Sequence, residues 1–421
     1  MSSEQNPSLL LLPVPPRPPS RASLNAAYRP SLQAVFSKIK HPARSATLIV
    51  AVVCPVLRGA SPKTKSLSWA AAQSLVAGIY SQIAVVCAEQ SVATDVNGGP
   101  GSIDARVVLV DHDASRRFAS DFVAAIEPNN TTVVDLPTFA SAYHPWSYIF
   151  HVNSEHGYRT LSSYLKFAEG RQTILQSQLV VVEAGLSMNV EGEGAGSTEA
   201  SPLYPVVCLG GTFDHLHPGH KLMLMAAVLL LRVPDKDSAS SCKLVLGITG
   251  DEMLKNKKYG ELVQTWDDRA RYTLDFLASL LELDKSGWKK RSGPVPTVET
   301  APGHLEAKFR NGTIVVECVE FQDVYGPTIS MAEIEALVVS GETRSGGKAV
   351  NDKRVSLGMK PLETYEVDVL DARDLGDETA KTDDFTSKIS STAIRQQKAE
   401  AAAAAAKSSL RGHAMDVQLS I

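Results

Sequence analysis

Short, continuous apolar runs alternate with longer helical patterns through most of this chain. In its second half the apolar runs are VVCL (206–209), KLVLGIT (243–249), TIVVECVEF (313–321), ALVVS (336–340) and YEVDVLD (365–371). Helical patterns begin near Pro218, after Thr265 and before Val350. A strand that is apolar at every position needs cover on both faces, which parallel sheets flanked by helices provide. The pattern therefore predicts a Rossmann-like, doubly wound parallel sheet that binds ligands beyond the carboxyl ends of its strands.

The first half shows the same alternation and predicts a second α/β domain that precedes this one. We predict a strand for each of its apolar runs, at 46–54, 82–88, 105–111 and 178–185. The chain begins with MSSEQNPSLLLLPVPPRPPS, in which prolines interrupt a leucine run and an acidic residue, Glu4, stands in place of a basic start. This composition predicts a disordered, proline-rich tail rather than a secretory or mitochondrial leader.

A segment rich in Gly, Ser and Glu, NVEGEGAGSTEASP, separates the two halves. Because it has no hydrophobic periodicity, we predict a flexible linker there. We expect a long surface loop at 284–312. The expected organisation is a tail at 1–43, an α/β domain at 44–188, the linker at 189–203, the second α/β domain at 204–398 and an alanine-rich tail at 399–421.

Composition excludes several classes of function. The 421 residues carry a net charge of −4 with both signs mixed, which argues against a nucleic-acid-binding surface. The five cysteines form no C-x-x-C pair, so we predict neither a zinc site nor a disulfide framework. The longest apolar run, 222–231, is too short to cross a bilayer, and we therefore expect no membrane span and a cytoplasmic location.

The stretch GGTFDHLHPGH follows the first strand of the second domain directly and opens a helical pattern. The glycines allow backbone N–H groups to approach a phosphate, and Pro218 suits the first turn of a helix. The positive end of that helix faces the same loop. His217 and His220 are placed to donate hydrogen bonds to oxygens that gain negative charge in phosphoryl chemistry. The stretch therefore predicts an anion site with two imidazoles directed into it.

Several motifs carry a family resemblance. GGTFDHLHPGH is similar to the signature of the nucleotidyltransferases with a (T/H)-x-G-H motif, and KISSTAIRQQ (388–397) resembles the segment that opens their last helix and holds the triphosphate. Cytidylyltransferases usually show R-T-E-G before it, whereas this chain has DDFTSK (383–388), which favours ATP over CTP. With DVYGPT (323–328) and LVVSGETRSGGKAVNDKR (337–354), residues 204–397 resemble the eukaryotic type of phosphopantetheine adenylyltransferase, the adenylyltransferase portion of CoA synthase.

The resemblance implies a reaction in which AMP passes from ATP to 4′-phosphopantetheine, giving dephospho-CoA and pyrophosphate by in-line attack without a covalent intermediate. Mg²⁺ is expected with ATP, held mainly by phosphate oxygens and water and not by a cage of protein ligands. The alternatives are another nucleotidyltransferase of this fold, such as a cytidylyltransferase, and a non-catalytic nucleotide-binding scaffold. Because the sequence shows no Walker motif, a separate dephospho-CoA kinase is expected to complete the cofactor. For the N-terminal domain the sequence leaves three roles open: regulation, docking of a protein partner such as that kinase, and stabilisation of the fold.

The resemblance also assigns residues. His220 is expected to stabilise the α-phosphate in the transition state, His217 to contact the triphosphate, and Thr212 to touch the phosphates of both substrates. Asp214 is expected to hold its loop by accepting hydrogen bonds from backbone N–H groups. The other expected nucleotide contacts are Gly210, Gly211, Phe213, Gly341, Arg344, Ser390, Ser391, Thr392 and Arg395.

Two of the assignments leave alternatives open. The cation beside the acceptor phosphate best matches Lys257, although Lys255 and Lys258 lie in the same loop. For Arg344, a surface salt bridge is as good an interpretation as a phosphate contact.

Overall fold

The structure, a computed structural model, describes residues 6–418 apart from 60–64, 97, 119–121, 123–128, 143–144, 187–198, 236–237, 239, 283–296, 369 and 371–389. It contains two large sheets built mainly from parallel strands, each with helices between its strands. The predicted α/β class is therefore confirmed. Most of the predicted linker, and the DDFTSK segment, lie outside the described residues.

The first sheet is formed by the N-terminal half and has six parallel strands. They are β1 (Ser8–Leu12), β2 (Ala46–Cys54), β5 (Ile103–Asp111), β6 (Val134–Asp135), β7 (Ile149–Val152) and β8 (Leu179–Val182), in the spatial order β6-β5-β2-β1-β7-β8. The short strands β3 (Leu57–Arg58) and β4 (Ser66–Leu67) pair separately. The helices are α1 (Arg21–Ile39), α2 (Trp69–Glu89), α3 (Leu136–Ser141) and α4 (Glu155–Ala168). Because the chain order reverses beside β1, this sheet is doubly wound.

The prediction of a disordered tail at 1–43 is wrong. The leucine run forms β1, which pairs with β2 on one side and β7 on the other, and its four leucines have no exposed surface. Ser20 then caps α1 by accepting a hydrogen bond from the backbone N–H of Ser23, at 3.1 Å. Prolines mark where β1 ends, but they do not prevent a short apolar run from occupying the centre of a sheet.

The apolar run at 82–88, predicted as a strand, lies instead in the helix α2. Helix α2 is long and apolar enough to cross a membrane by length and composition, yet 83% of its most apolar window is buried inside the protein. Its apolar surface is covered by α1 on one side and, in the second domain, by α5 (Pro218–Val228) on the other. A helix that is buried all round loses the periodicity that would distinguish it from a strand.

The second sheet forms the framework of the C-terminal half. Its strands are β9 (Val206–Gly211), β10 (Cys242–Thr249), β11 (Val298–Ala301), β12 (His304–Phe309), β13 (Ile314–Phe321), β14 (Ala336–Ser340) and β15 (Glu363–Val367), in the order β11-β12-β13-β10-β9-β14-β15. The five strands from β13 to β15 in this order are parallel. The helices are α5, α6 (Trp266–Leu281), α7 (Arg344–Ser356) and α8 (Ser391–Gln418). The predicted strands and the doubly wound arrangement are confirmed, with the reversal of chain order between β9 and β14.

The long surface loop predicted at 284–312 is corrected in its described part. Residues 298–309 form β11 and β12, and β12 pairs antiparallel with β13 at the edge of the sheet. Leu305, Ala307 and Phe309 are buried while the residues between them are more exposed, which is the alternation of a half-buried strand.

The two domains share one hydrophobic core. A single cluster of buried residues includes side chains of both sheets, of α2 and of α5. At the contact surface between the two domains, which we call the seam, Trp69 Nε1 donates a 2.8 Å hydrogen bond to the carbonyl of Ala226. The Trp69 ring also packs edge-on against Tyr365, with the ring centres 5.0 Å apart. The C-terminal half of the protein is therefore packed directly against the N-terminal half.

Candidate active site

A cavity of about 550 Å³ opens at the carboxyl ends of β9 and β14, where the chain order of the sheet reverses. This is the position at which doubly wound sheets bind ligands. The predicted site residues that line it are Gly210, Gly211, Thr212, Phe213, His217, His220, Lys257, Ser390, Ser391, Thr392 and Arg395. Residues that are far apart in the sequence thus meet around a single space.

The two glycines at the end of β9 differ in what they do. A Cβ on Gly211 would lie 3.2 Å from the ring of Phe213, so this glycine allows the ring to pack against the strand. A Cβ on Gly210 would meet only the carbonyl oxygen of Gly247, at 4.0 Å. Packing therefore does not require glycine at 210, and its exposed backbone at the cavity is free of a covering side chain.

The turn after β9 has an unusual backbone that its surroundings hold in place. Phe213 and His215 have φ angles of 52° and 46°, a left-handed conformation that costs non-glycine residues about 1–2 kcal/mol each. The backbone N–H of His215 donates to Gln264 Oε1 at 2.8 Å. In return the backbone N–H of Gln264 donates to Asp214 Oδ1 at 2.9 Å. Asp214 is fully buried and ties the turn to the neighbouring loop, in agreement with the prediction that it accepts hydrogen bonds from the backbone.

The two signature histidines lie against each other beside the first turn of α5. Their rings are stacked with centroids 3.9 Å apart and an angle of 23° between their planes. His217 occupies the N-cap position, and Pro218 is the first helical residue. One wall of the cavity therefore combines two imidazoles with the positive end of a helix.

The start of α8 also lines the cavity and is bonded to the signature turn. Ser391 Oγ donates to the carbonyl of Asp214 at 2.7 Å. The buried guanidinium of Arg395 forms an ion pair with the Asp214 carboxylate and donates to Lys258 O and Thr392 Oγ1, both at 3.1 Å. Arg395 lines the cavity, but these bonds show that it joins α8 to the turn; direct contact with a triphosphate stays a prediction.

The three candidate lysines have different surroundings. Lys257 lines the cavity. Lys255 pairs with Glu252 at 2.5 Å in an exposed position, and Lys258 lies 5.4 Å from the centre of the Tyr259 ring. Of these three lysines, Lys257 alone lines the cavity, and its contact with an acceptor phosphate stays a prediction.

Two predicted nucleotide contacts lie outside the lining of this cavity. Gly341 begins a short 3₁₀ turn just after β14, while its neighbours Ser340 and Glu342 line the cavity. Arg344 forms a bidentate pair with Glu366, with both N–O distances at 2.6 Å and more than half of the arginine side chain exposed. The structure therefore agrees with the surface salt bridge that was the alternative for Arg344.

Sequence reasoning missed Arg269, a fully buried residue of α6. Its guanidinium donates to the carbonyls of Thr212 at 2.6 Å and Thr249 at 2.7 Å and pairs with Asp251 at 2.6 Å. These contacts hold the ends of β9 and β10 together beside the cavity. A signal was present, since Arg269 follows Trp266 by three positions on the apolar face of an amphipathic helix, where an arginine needs buried acceptors.

Comparisons with known proteins divide the chain at the same place as the structure. Residues 208–397 match a family profile described as cytidylyltransferase-like, and residues 1–188 match a domain of unknown function (DUF8446). A crystal structure of a protein of unknown function from Archaeoglobus fulgidus shares 25% identity over 39% of this chain and 89% of its own. Its TM-score of 0.25 is too low to support an argument about the fold.

Two curated relatives carry the same name. A phosphopantetheine adenylyltransferase of Saccharomyces cerevisiae is 36% identical over 49% of this chain and 53% of its own length, so the chain spans about half of that relative. A phosphopantetheine adenylyltransferase of Pyrococcus furiosus is 31% identical over 40% of this chain and 81% of its own length. The chain therefore belongs to the phosphopantetheine adenylyltransferase family of cytidylyltransferase-like nucleotidyltransferases.

Proposed function

We propose that this protein transfers AMP from ATP to 4′-phosphopantetheine, producing dephospho-CoA and pyrophosphate. The observation that carries the proposal is the meeting, in one cavity, of the stacked His217 and His220, the exposed Gly210 backbone, Lys257 and the hydroxyls that open α8. This set supplies hydrogen-bond donors and a positive charge to phosphate groups on several sides. The names of the relatives supply the nucleotide and acceptor.

In this reaction an oxygen of the acceptor phosphate attacks the α-phosphorus of ATP, a new P–O bond forms, and the bond from the α-phosphorus to the bridging oxygen breaks. Pyrophosphate leaves with that oxygen. A phosphate oxygen is already a nucleophile at neutral pH, so the protein needs to position the two substrates and stabilise developing charge. His220 donates to the α-phosphate, Lys257 holds the acceptor phosphate, and the Ser391–Thr392 end of α8 binds the outgoing pyrophosphate.

Mg²⁺ accompanies ATP in this proposal and, when bound, neutralises charge on the triphosphate. The signature carboxylate does not serve as its ligand, because Asp214 is fully buried and bonded to Gln264 and Arg395. The proposal keeps the expectation that phosphate oxygens and water would be the main ligands of the ion.

Part of the cavity wall suits an organic arm attached to the acceptor phosphate. Besides Lys257, the cavity is lined by apolar side chains, including Met223, Leu254, Val263, Phe321 and Pro327. An extended chain such as that of pantetheine buries apolar surface there while its phosphate lies next to the lysine. A small acceptor such as ethanolamine phosphate would leave this wall uncovered.

The test measures pyrophosphate release and the nucleotide product by mass spectrometry, using the full chain with Mg²⁺. Each of ATP and CTP is combined with either 4′-phosphopantetheine or ethanolamine phosphate. Turnover with ATP and 4′-phosphopantetheine alone is expected, and His220→Ala should lower kcat by about 10²–10³-fold. His156→Ala, which removes an exposed histidine of α4, is the matched control and should retain wild-type turnover.

The other outcomes each reject part of the proposal. Turnover with CTP and ethanolamine phosphate would identify a cytidylyltransferase. Binding of ATP without turnover of either acceptor would support a nucleotide-binding scaffold.

A further inference from the structure

The lysine that follows the second signature histidine is bonded entirely to the other domain. Lys221 has no exposed surface, although it directly follows His220 on α5. Its ammonium donates to Asp104 Oδ1 at 2.5 Å, to the carbonyl of Ala105 at 3.1 Å and to the carbonyl of Thr94 at 3.2 Å. An ammonium has three donors, and here all three are used by the N-terminal domain. The first turn of α5 is therefore anchored outside its own domain.

A second set of contacts reaches the signature turn itself. The backbone N–H of Val96 donates to the carbonyl of Leu216 at 3.1 Å. Asp95, which is 1% exposed, lies 2.8 Å from Lys398 Nζ on α8 and 3.5 Å from His215 Nδ1 in the turn. Lys398 Nζ also contacts His215 Nδ1 at 3.0 Å. One short segment of the N-terminal domain, 94–96, thus touches both elements that face the triphosphate position.

Neighbouring charged groups keep the carboxylates of Asp104 and Asp95 ionised. Burial opposes ionisation of Asp104, but Arg106 and Lys221 outweigh it and lower the pKa of Asp104 to about 2. Burial also opposes ionisation of Asp95, and the hydrogen bonds and charges of His215 and Lys398 outweigh it, which lowers its pKa. Both carboxylates are therefore charged at neutral pH, and each faces a lysine of the nucleotidyltransferase domain.

Not every contact across the seam lies near the cavity. At the opposite end of α5, Thr132 Oγ1 donates to the carbonyl of Val228 at 3.0 Å. This bond also joins the two domains through α5, but it is more than two helical turns from His220. It provides a comparison for contacts that only hold the domains together.

We infer that the N-terminal domain is a positioning element of the active site, in which segment 94–96 and Asp104 hold the signature turn, the first turn of α5 and the start of α8 in the arrangement that binds the triphosphate. Asp95 and Asp104 touch no substrate in this inference and act through His215, Lys221 and Lys398. The kinetic part of the inference rests on the proposed function, and the structural part does not. It gives the domain of unknown function a role in nucleotide binding.

The experiment compares Asp95→Asn, Lys398→Gln, the double variant and the control Thr132→Val with the full wild-type chain. Lys398→Gln is included because Asp95 is buried and its replacement alone could impair folding, whereas Lys398 is one-third exposed. The kinetic readouts are kcat and the KM values for ATP and 4′-phosphopantetheine. The second readout is hydrogen exchange in peptides covering 213–221 and 390–398, without nucleotide.

In Asp95→Asn and Lys398→Gln we expect KM for ATP to rise about ten- to a hundredfold, with much less change in KM for the acceptor. Exchange should become faster in both peptides. The double variant should be no worse than the more impaired single variant, because both changes break the same contact. Thr132→Val should keep the wild-type KM values and exchange rates.

Wild-type KM for ATP together with wild-type exchange in Asp95→Asn and Lys398→Gln would overturn the inference. Equal changes in Thr132→Val would also overturn it, because they would show general loosening of the seam. If the wild-type chain turns over no substrate pair, the proposed function fails, and ATP affinity by calorimetry together with the exchange rates then decides the positioning role separately.

Discussion

The two sheets have similar topology but different loops at the same structural position. In each, the first strand of the domain, β1 or β9, lies beside the point where the chain order reverses. The loop after β1 is PVPPRPPS, whose five prolines have no N–H to donate, and Ser20 caps the helix that follows. β9 instead ends in two glycines at the cavity, and α5, which follows the turn after it, starts without a side-chain cap.

This difference explains why only one of the two switch points resembles a phosphate site. The loop after β1 has few backbone donors, because five of its eight residues are prolines, whereas the glycines that end β9 line a cavity. The sheet supplies the position, and the few residues of the loop supply the chemistry. Changes in the first loop should therefore affect stability, and changes in the second should affect turnover.

The largest effect is expected where the two sheets meet. Asp104→Ala leaves the buried charges of Lys221 and Arg106 without their shared carboxylate, and loss of one partner of a buried ion pair typically destabilises by about 3–5 kcal/mol. Urea unfolding followed by circular dichroism measures this change. A loss below about 1 kcal/mol, as for an exposed pair, would mean that the seam is less important than its burial indicates.

A pair of histidine variants compares the two domains directly. His220→Ala should raise the activation barrier by about 2.7–4 kcal/mol without comparable loss of stability. His151→Ala, on β7 of the first sheet, removes a buried ring that packs against Tyr158 and should lower stability while kcat per folded molecule is retained. Equal losses of kcat in the two variants would contradict the expectation that the second sheet carries the residues for turnover and the first sheet does not.

The pH dependence of stability measures how much the Asp104 carboxylate contributes at the seam. The pKa of Asp104 is lowered to about 2 in the folded protein, whereas an aspartate in an unfolded chain has a pKa of about 3.9. Its contribution, about 2–3 kcal/mol, is therefore fully present well above pH 4 and is lost as pH falls towards 2. The free energy of unfolding of Asp104→Asn should fall less steeply than that of the wild type over this range. Parallel curves would show that Asp104 does not have the lowered pKa.

A smaller effect is expected from the cap of α1. Ser20→Ala removes the acceptor for the backbone N–H of Ser23 and should destabilise the protein by about 1 kcal/mol. Thermal unfolding gives the stability, and initial rates give KM for ATP, which should not change. A raised KM for ATP would show that the loop after β1 affects nucleotide binding.

The smallest effect is expected from Arg344. Arg344→Ala removes an exposed pair with Glu366, and such pairs contribute about 0–1 kcal/mol. The KM for ATP should remain at the wild-type value, with Ser345→Ala as a neighbouring exposed control on α7. A rise in KM confined to Arg344→Ala would restore the phosphate contact predicted from the sequence.

The sequence alone determined the α/β class, the parallel second sheet and most of the candidate site. These features are local, because GGTFDHLHPGH places glycines, histidines and a helix start within eleven consecutive residues. The same holds for the hydroxyls that open α8, whereas the backbone N–H that Asp214 accepts belongs to Gln264, 50 positions away along the chain. The family resemblance limited the candidates for the cation to three lysines of one loop, of which Lys257 lines the cavity in the structure.

Only the tertiary structure decided the placement of β1, the helical state of α2, and the buried positions of Arg269 and Lys221. An apolar run has the same sequence pattern whether it becomes a central strand or a helix covered on every side. A buried arginine or lysine looks like a surface residue until its acceptors, which come from distant parts of the chain, are known. Pairing between distant segments, which local patterns do not encode, is what joined the N-terminal domain to the signature turn.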